Sequence, residues 1–155
     1  MGFTKFERIL VAVDDSPCSE KVIQHAREIT LDEEVSIALV TVIPPPVPVN
    51  YGADPLLGQQ SIMVPEIAEI QEAAAQEYLE KLANEFDNSN VLFTYVRVGN
   101  IREEILSIVK EWSADLLIIG TNGKSGLEHF LAGSISESVV RKAPCPVLVI
   151  PSKCD

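Results

Sequence analysis

The chain is poor in cysteine, histidine and tryptophan, with 3, 2 and 1 of them in 155 residues. Cys18, Cys145 and Cys154 form neither a C-x-x-C pair nor a Cys/His cluster at zinc spacing, which excludes a structural zinc site and a dithiol redox motif. The simplest expectation from so sparse a set is a reduced chain in the cytoplasm. No apolar run approaches the roughly 18 residues that cross a bilayer. The run Ile9 to Val13 stops at Asp14, too early for a signal sequence, and Phe6 stands where acylation at Gly2 requires Ser or Thr. No membrane attachment is expected. Basic residues are also few: 12 Lys and Arg against 23 Asp and Glu give a net charge of −11. A field of that sign repels polyanions, so nucleic acid is not an expected partner. A small phosphorylated ligand is not excluded, because a few oriented N–H groups make a local positive site inside an acidic protein.

What is present, 46% hydrophobic and 23% charged residues, fits one soluble domain over residues 1–155 with a real core. Ile9-Leu-Val-Ala-Val13 is a continuous apolar run bounded by Asp14-Asp15-Ser16-Pro17, the pattern of a strand buried on both faces. Ser16 or Pro17 opens a helix with Val22, Ile23, Ala26 and Ile29 at helical spacing, ending near Thr30. Val35 to Ile43 reads as a second strand, stopped by Pro44-Pro45-Pro46, which cannot donate to a ladder. The proline-rich stretch 44–63 is expected as a loop, long enough to be functional as a lid or a partner contact. Val64 to Phe86 predicts a long helix whose face of Ile67, Ile70, Ala74, Tyr78, Leu82 and Phe86 packs on the core. Val91 to Val98 is a strand. Gly99-Asn100 turns into a helix bearing Ile101, Ile105, Ile108, Val109 and Trp112. Leu116 to Ile119 is the fourth strand, Ile135, Val139 and Val140 mark a last helix, and Pro146 to Ile150 is the fifth strand. This alternation predicts an α/β fold: a parallel sheet, doubly wound, with helices on both faces and right-handed crossovers. Ligands of such sheets sit at the carboxyl ends of the strands, where the winding reverses.

One such place is unusual. After the fourth strand run Gly120-Thr-Asn-Gly123-Lys124 and, further on, Gly133-Ser134-Ile135-Ser136. Glycine lets a phosphate approach the main chain, and a helix N-terminus offers N–H groups beside the Ser134 and Ser136 hydroxyls. The parts of an anion site are present. The same residues also make an ordinary turn with Ser134 as N-cap. Lys124 is not in a P-loop frame, and the first βα turn has no glycine, so neither that loop nor the dinucleotide fingerprint applies.

Gly120, Gly123, Gly133 and Ser134 stand as G-x2-G-x9-G-S, and this resembles the nucleotide-binding signature of the universal stress protein family, ATP-binding branch. Ile9-Leu-Val-Ala-Val-Asp-Asp-Ser16 is similar to the family's first strand and turn, and Ala143-Pro-Cys-Pro-Val-Leu-Val-Ile150 to its last strand. The resemblance implies a five-stranded sheet of order 3-2-1-4-5 with ATP, or ADP or AMP, between the first and fourth strands. It implies that Asp14 contacts the ribose or adenine end, Val42 the adenine, and Gly120, Gly123, Gly133, Ser134, Ile135 and Ser136 the phosphates. The strand-end residues Ala12, Val13 and Ile119 and the loop residue Lys124 complete the implied nucleotide-binding set. Independently, an ionised carboxylate after the first strand suits ribose hydroxyls, from which it accepts hydrogen bonds.

Asp15 departs from the family, where glycine is common. It could hold a divalent metal such as Mg²⁺ on the phosphates; facing solvent or capping the first helix is the simpler expectation, and no metal ligand is assigned. Lys124 could reach a phosphate as a mobile point charge or be merely solvated. His25 and His129 have no neighbouring acid or nucleophile in sequence and are expected at the surface. Cys18, in the first helical turn, is expected to be buried and idle rather than reactive. The functional expectation is an ATP-binding sensor or switch in the stress response with no catalytic residue assigned. The alternative is a slow metal-dependent ATPase or phosphotransferase using Asp14, Asp15 and Ser136. A phospho-accepting receiver also carries acidic residues after its first strand, but it needs an aspartate where Val98-Gly99-Asn100 stands. A ligand-free interaction protein is disfavoured by the intact signature. An apolar last strand at a sheet edge predicts a homodimer through that edge, as the resemblance also implies.

Overall fold

A computed structural model describes residues 5–31, 34–45, 64–86, 90–121 and 135–151. The elements run β1 (Arg8–Ala12), α1 (Cys18–Thr30), β2 (Ser36–Ile43), α2 (Val64–Ala83), β3 (Val91–Val98), α3 (Ile101–Glu111), β4 (Leu116–Gly120), α4 (Ile135–Lys142) and β5 (Val147–Ile150). All pairings are parallel and the order is β3-β2-β1-β4-β5. The β1 run is apolar without alternation because both of its faces are covered: Leu10 and Val11 are wholly buried, and they belong to opposite layers.

One layer joins Ile9, Val11 and Val13 to Val22, Ile23 and Ala26 of α1 and to Leu79 and Leu82 of α2. The other joins Leu10 and Ala12 to Ile105, Ile108 and Val109 of α3, to Trp112 and to Val139 of α4. This is a doubly wound α/β domain. At the amino end of the sheet, the Asp115 carboxylate accepts from the Glu7 and Arg8 amides at 2.8 and 3.1 Å. The Arg8 Nε donates to the Trp112 carbonyl at 2.8 Å, with the guanidinium 4.3 Å above the indole. At the other end, Gly99 adopts φ +152° in the β3–α3 turn, where a Cβ would lie 2.8 Å from Glu104 Oε1, so this turn requires glycine. Asn100 then caps α3, accepting from the Glu103 amide at 3.2 Å.

Four large apolar positions read as core facing are exposed. Ile29 and Val140 are 40% and 46% accessible, at the flanks of their helical stripes. The larger departure is on α2, where Ile67 and Ile70 are 43% and 69% accessible. Gln76 donates to Thr94 Oγ1 of β3 at 2.9 Å, which sets the level of the helix over the sheet. From Gln76 to Ile67 is about 13 Å of helix at 1.5 Å per residue, and from Thr94 to Val98 is about 13 Å of strand. The first turns of α2 therefore stand at the rim of the sheet, and only the later ones, around Leu79 and Leu82, lie over it.

Candidate functional site

From β1 the chain winds through α1 to β2, and from β4 through α4 to β5. The winding reverses between β1 and β4, and the crevice that a doubly wound sheet offers a ligand lies above their carboxyl ends. Ala12 and Ile119 are register partners there. Both are buried in the α3/α4 layer, and Val42 and Ile135 pack against the same cluster. Ser136, in the first turn of α4, is 6% accessible, and Gly120 ends β4 paired with Ile150. Of the residues predicted for the site, these six converge on the rim. Val13 faces the opposite layer, among α1 and α2 residues, and its amide donates to the Val40 carbonyl at 2.9 Å. Gly123, Lys124, Gly133 and Ser134 lie outside the described residues, as do His129 and the part of the proline-rich stretch from 46 to 63.

Asp14 follows directly. Its Oδ1 accepts from the Ser16 amide at 2.9 Å, from the Ser16 hydroxyl, and from the Ser19 hydroxyl at 3.0 Å, while its own amide donates to Ser19 Oγ at 3.0 Å. This Asp-Ser turn leads the chain into α1, whose first residues receive no side-chain cap from Pro17. The Asp14 carbonyl accepts from the phenol of Tyr78 on α2 at 2.9 Å. Burial pushes the Tyr78 phenol above its ordinary value, the Asp14 charge adds to this, and a hydrogen bond with Ser19 opposes it.

Tyr78 was legible only as one member of a core face. The signal that could have singled it out is chemical: a tyrosine in an aliphatic stripe needs a partner for its O–H once it is half buried. Asp15 is exposed, as is His25, whose Nδ1 lies 2.8 Å from the Lys21 carbonyl of its own helix. Among the described residues no group of three or more His, Cys, Asp or Glu side chains is arranged to hold a metal ion, and no helix is long and apolar enough to cross a membrane. Cys18 corrects one expectation. It is buried, but it is disulfide-bonded rather than reduced. Cys145 is a free thiol, pushed up by burial and by the charge of Asp115.

Residues 5–151 match the model of the Universal stress protein family. Universal stress protein MJ0531 of Methanocaldococcus jannaschii is 32% identical over 152 residues, covering 96% of this chain and 84% of its own length. Among solved structures, the protein MJ0577 superposes with a TM-score of 0.77 at 24% identity, over 96% of this chain and 98% of its own. A universal stress protein family member from Arabidopsis thaliana, solved with AMP bound, superposes with a TM-score of 0.65 at 19% identity, over 96% and 94%.

Proposed function

The chain belongs to the universal stress protein family, and on that footing we propose that it binds an adenine nucleotide and serves as a nucleotide-dependent switch in the stress response. ATP is the proposed ligand, with ADP and AMP as the nearest competitors. The observation that carries this reading is the gathering of Ala12, Val42, Ile119 and Ile135 in one apolar cluster at the β1/β4 rim, beside the ordered Asp14 turn. A purine ring suits such an apolar floor, and a carboxylate beside it suits the ribose hydroxyls. Gly120, Gly123, Lys124, Gly133, Ser134 and Ser136 are proposed to receive the phosphates through backbone N–H groups, hydroxyls and one mobile cation. The AMP complex of the Arabidopsis relative supports the ligand class.

The proposed assembly is a homodimer joined through β5. In support, Val147 to Ile150 form an edge strand in which Val147, Leu148 and Val149 are only partly buried. Calorimetric titration of nucleotide-free protein with ATP, with and without Mg²⁺, tests the function. Micromolar binding that is lost in Gly123→Val and weakened in Ser134→Ala supports it. Absence of binding by nucleotide-free protein refutes it, and sustained Mg²⁺-dependent phosphate release would make the chain a slow ATPase instead.

A further inference from the structure

We infer that Tyr78 is a positioning residue of the nucleotide site, acting on the ribose through Asp14, an inference that rests on the reading just proposed. Asp14 lies beyond the last residue of β1, one residue past the Val13 amide that donates to the Val40 carbonyl. Each of its two flanking peptide planes receives a bond from a side chain. The plane before it is fixed by the amide bond to Ser19 Oγ at 3.0 Å, and the plane after it by the Tyr78 phenol on the Asp14 carbonyl at 2.9 Å. Peptide units are rigid, so holding both planes fixes φ and ψ at Asp14 and with them the direction of the Cα–Cβ bond. The Ser16 and Ser19 donors on Oδ1 then fix the carboxylate about that bond.

The contributions differ in origin. Ser16 and Ser19 are local and travel with the turn, whereas Tyr78 comes from α2, 64 residues away in sequence. Tyr78 is partly buried and packs against the core layer that contains the fully buried Leu79 and Leu82, 4% accessible. Without the phenolic O–H the Asp14 carbonyl loses the donor that α2 supplies to the plane after Asp14, while the Ser16 and Ser19 bonds to Oδ1 remain. The carboxylate then keeps its turn and loses the fixed direction of its Cα–Cβ bond. A group that holds a binding residue within a fraction of an ångström affects only the ligand groups that residue touches.

That selectivity gives the test. ATP and 2′,3′-dideoxy-ATP are titrated by calorimetry into wild type, Tyr78→Phe, Asp14→Ala and the double variant, with thermal unfolding followed on the same samples. Wild type is expected to prefer ATP by about tenfold or more. Tyr78→Phe is expected to weaken ATP by about three- to tenfold, to leave dideoxy-ATP within about twofold, and to add nothing in the Asp14→Ala background. Equal losses for both nucleotides, or no loss for either, overturn the positioning role. A wild type that does not discriminate the two nucleotides removes the ribose contact, and with it this inference, before any variant is examined. A wild type that binds neither refutes the nucleotide function itself.

Discussion

Ser19 and Asp14 hold each other twice: the Asp14 amide donates to Ser19 Oγ at 3.0 Å, and the Ser19 hydroxyl donates to Asp14 Oδ1 at 3.0 Å. Ser19 is 4% accessible, so water replaces neither bond easily. We predict that Ser19→Ala costs about 1–3 kcal/mol, the range for stranding a buried polar partner. Urea unfolding at neutral pH measures it; a loss within error of zero would show that the turn is held without this pair. ATP affinity should fall in parallel, because the same turn carries Asp14.

Alkaline titration reports on the Tyr78 contact. Burial first, and then the nearby charges of Asp14, Asp15 and Glu20, raise the folded-state value of the phenol above the ordinary value of about 10, with Ser19 opposing. A group raised on folding contributes stability that is complete below its unfolded value and is lost as pH rises through its folded value. The expected outcome is that wild type loses stability relative to Tyr78→Phe only above about pH 10, and that the phenolate absorbance assigned to Tyr78 appears later than that of a free tyrosine. Ionisation of Tyr78 at or below the ordinary value would contradict its placement.

The two halves of α2 should respond differently to substitution. Leu79 has no accessible surface, so Leu79→Ala is expected to cost about 2–5 kcal/mol. Ile70 is 69% accessible, and Ile70→Lys is expected to change stability by no more than about 0.5 kcal/mol. Paired denaturation curves decide this, and a large loss at Ile70 would mean that the first turns of the helix are covered.

Cysteine modification should follow the same structural logic. Cys145 carries a free thiol, held back by burial and the Asp115 charge. Slow alkylation of Cys145 in native protein and none of Cys18 until a reductant is added is the expected pattern in peptide maps. Ready alkylation of Cys18 without reductant would contradict its disulfide.

Much of this fold is written in patterns that depend only on neighbours in sequence. Ile9 to Val13 is apolar without alternation because both faces are covered, and Pro44 and Asn100 mark element ends by their backbone chemistry. The convergence of Ala12, Val42, Ile119 and Ile135 followed from strand order, which the family resemblance implied and the alternation of elements did not. Levels across the sheet were not legible. Helical spacing placed Ile67 and Tyr78 on one stripe, but how far α2 slides along the sheet depends on contacts such as Gln76 to Thr94. The Tyr78 to Asp14 bond was invisible for the same reason: it joins groups that no local period relates.

The central claim is that an adenine nucleotide sits at the carboxyl rim between β1 and β4. Amide NMR spectra of isotope-labelled, nucleotide-free protein titrated with ATP test it most directly. The account predicts saturable shifts concentrated at Ala12, Asp14, Val42, Ile119, Gly120, Ile135 and Ser136, with Arg8, Asp115 and the amino ends of the strands unmoved. Shifts confined to β5 or to the amino end of the sheet, or no saturable shifts at all, would contradict it.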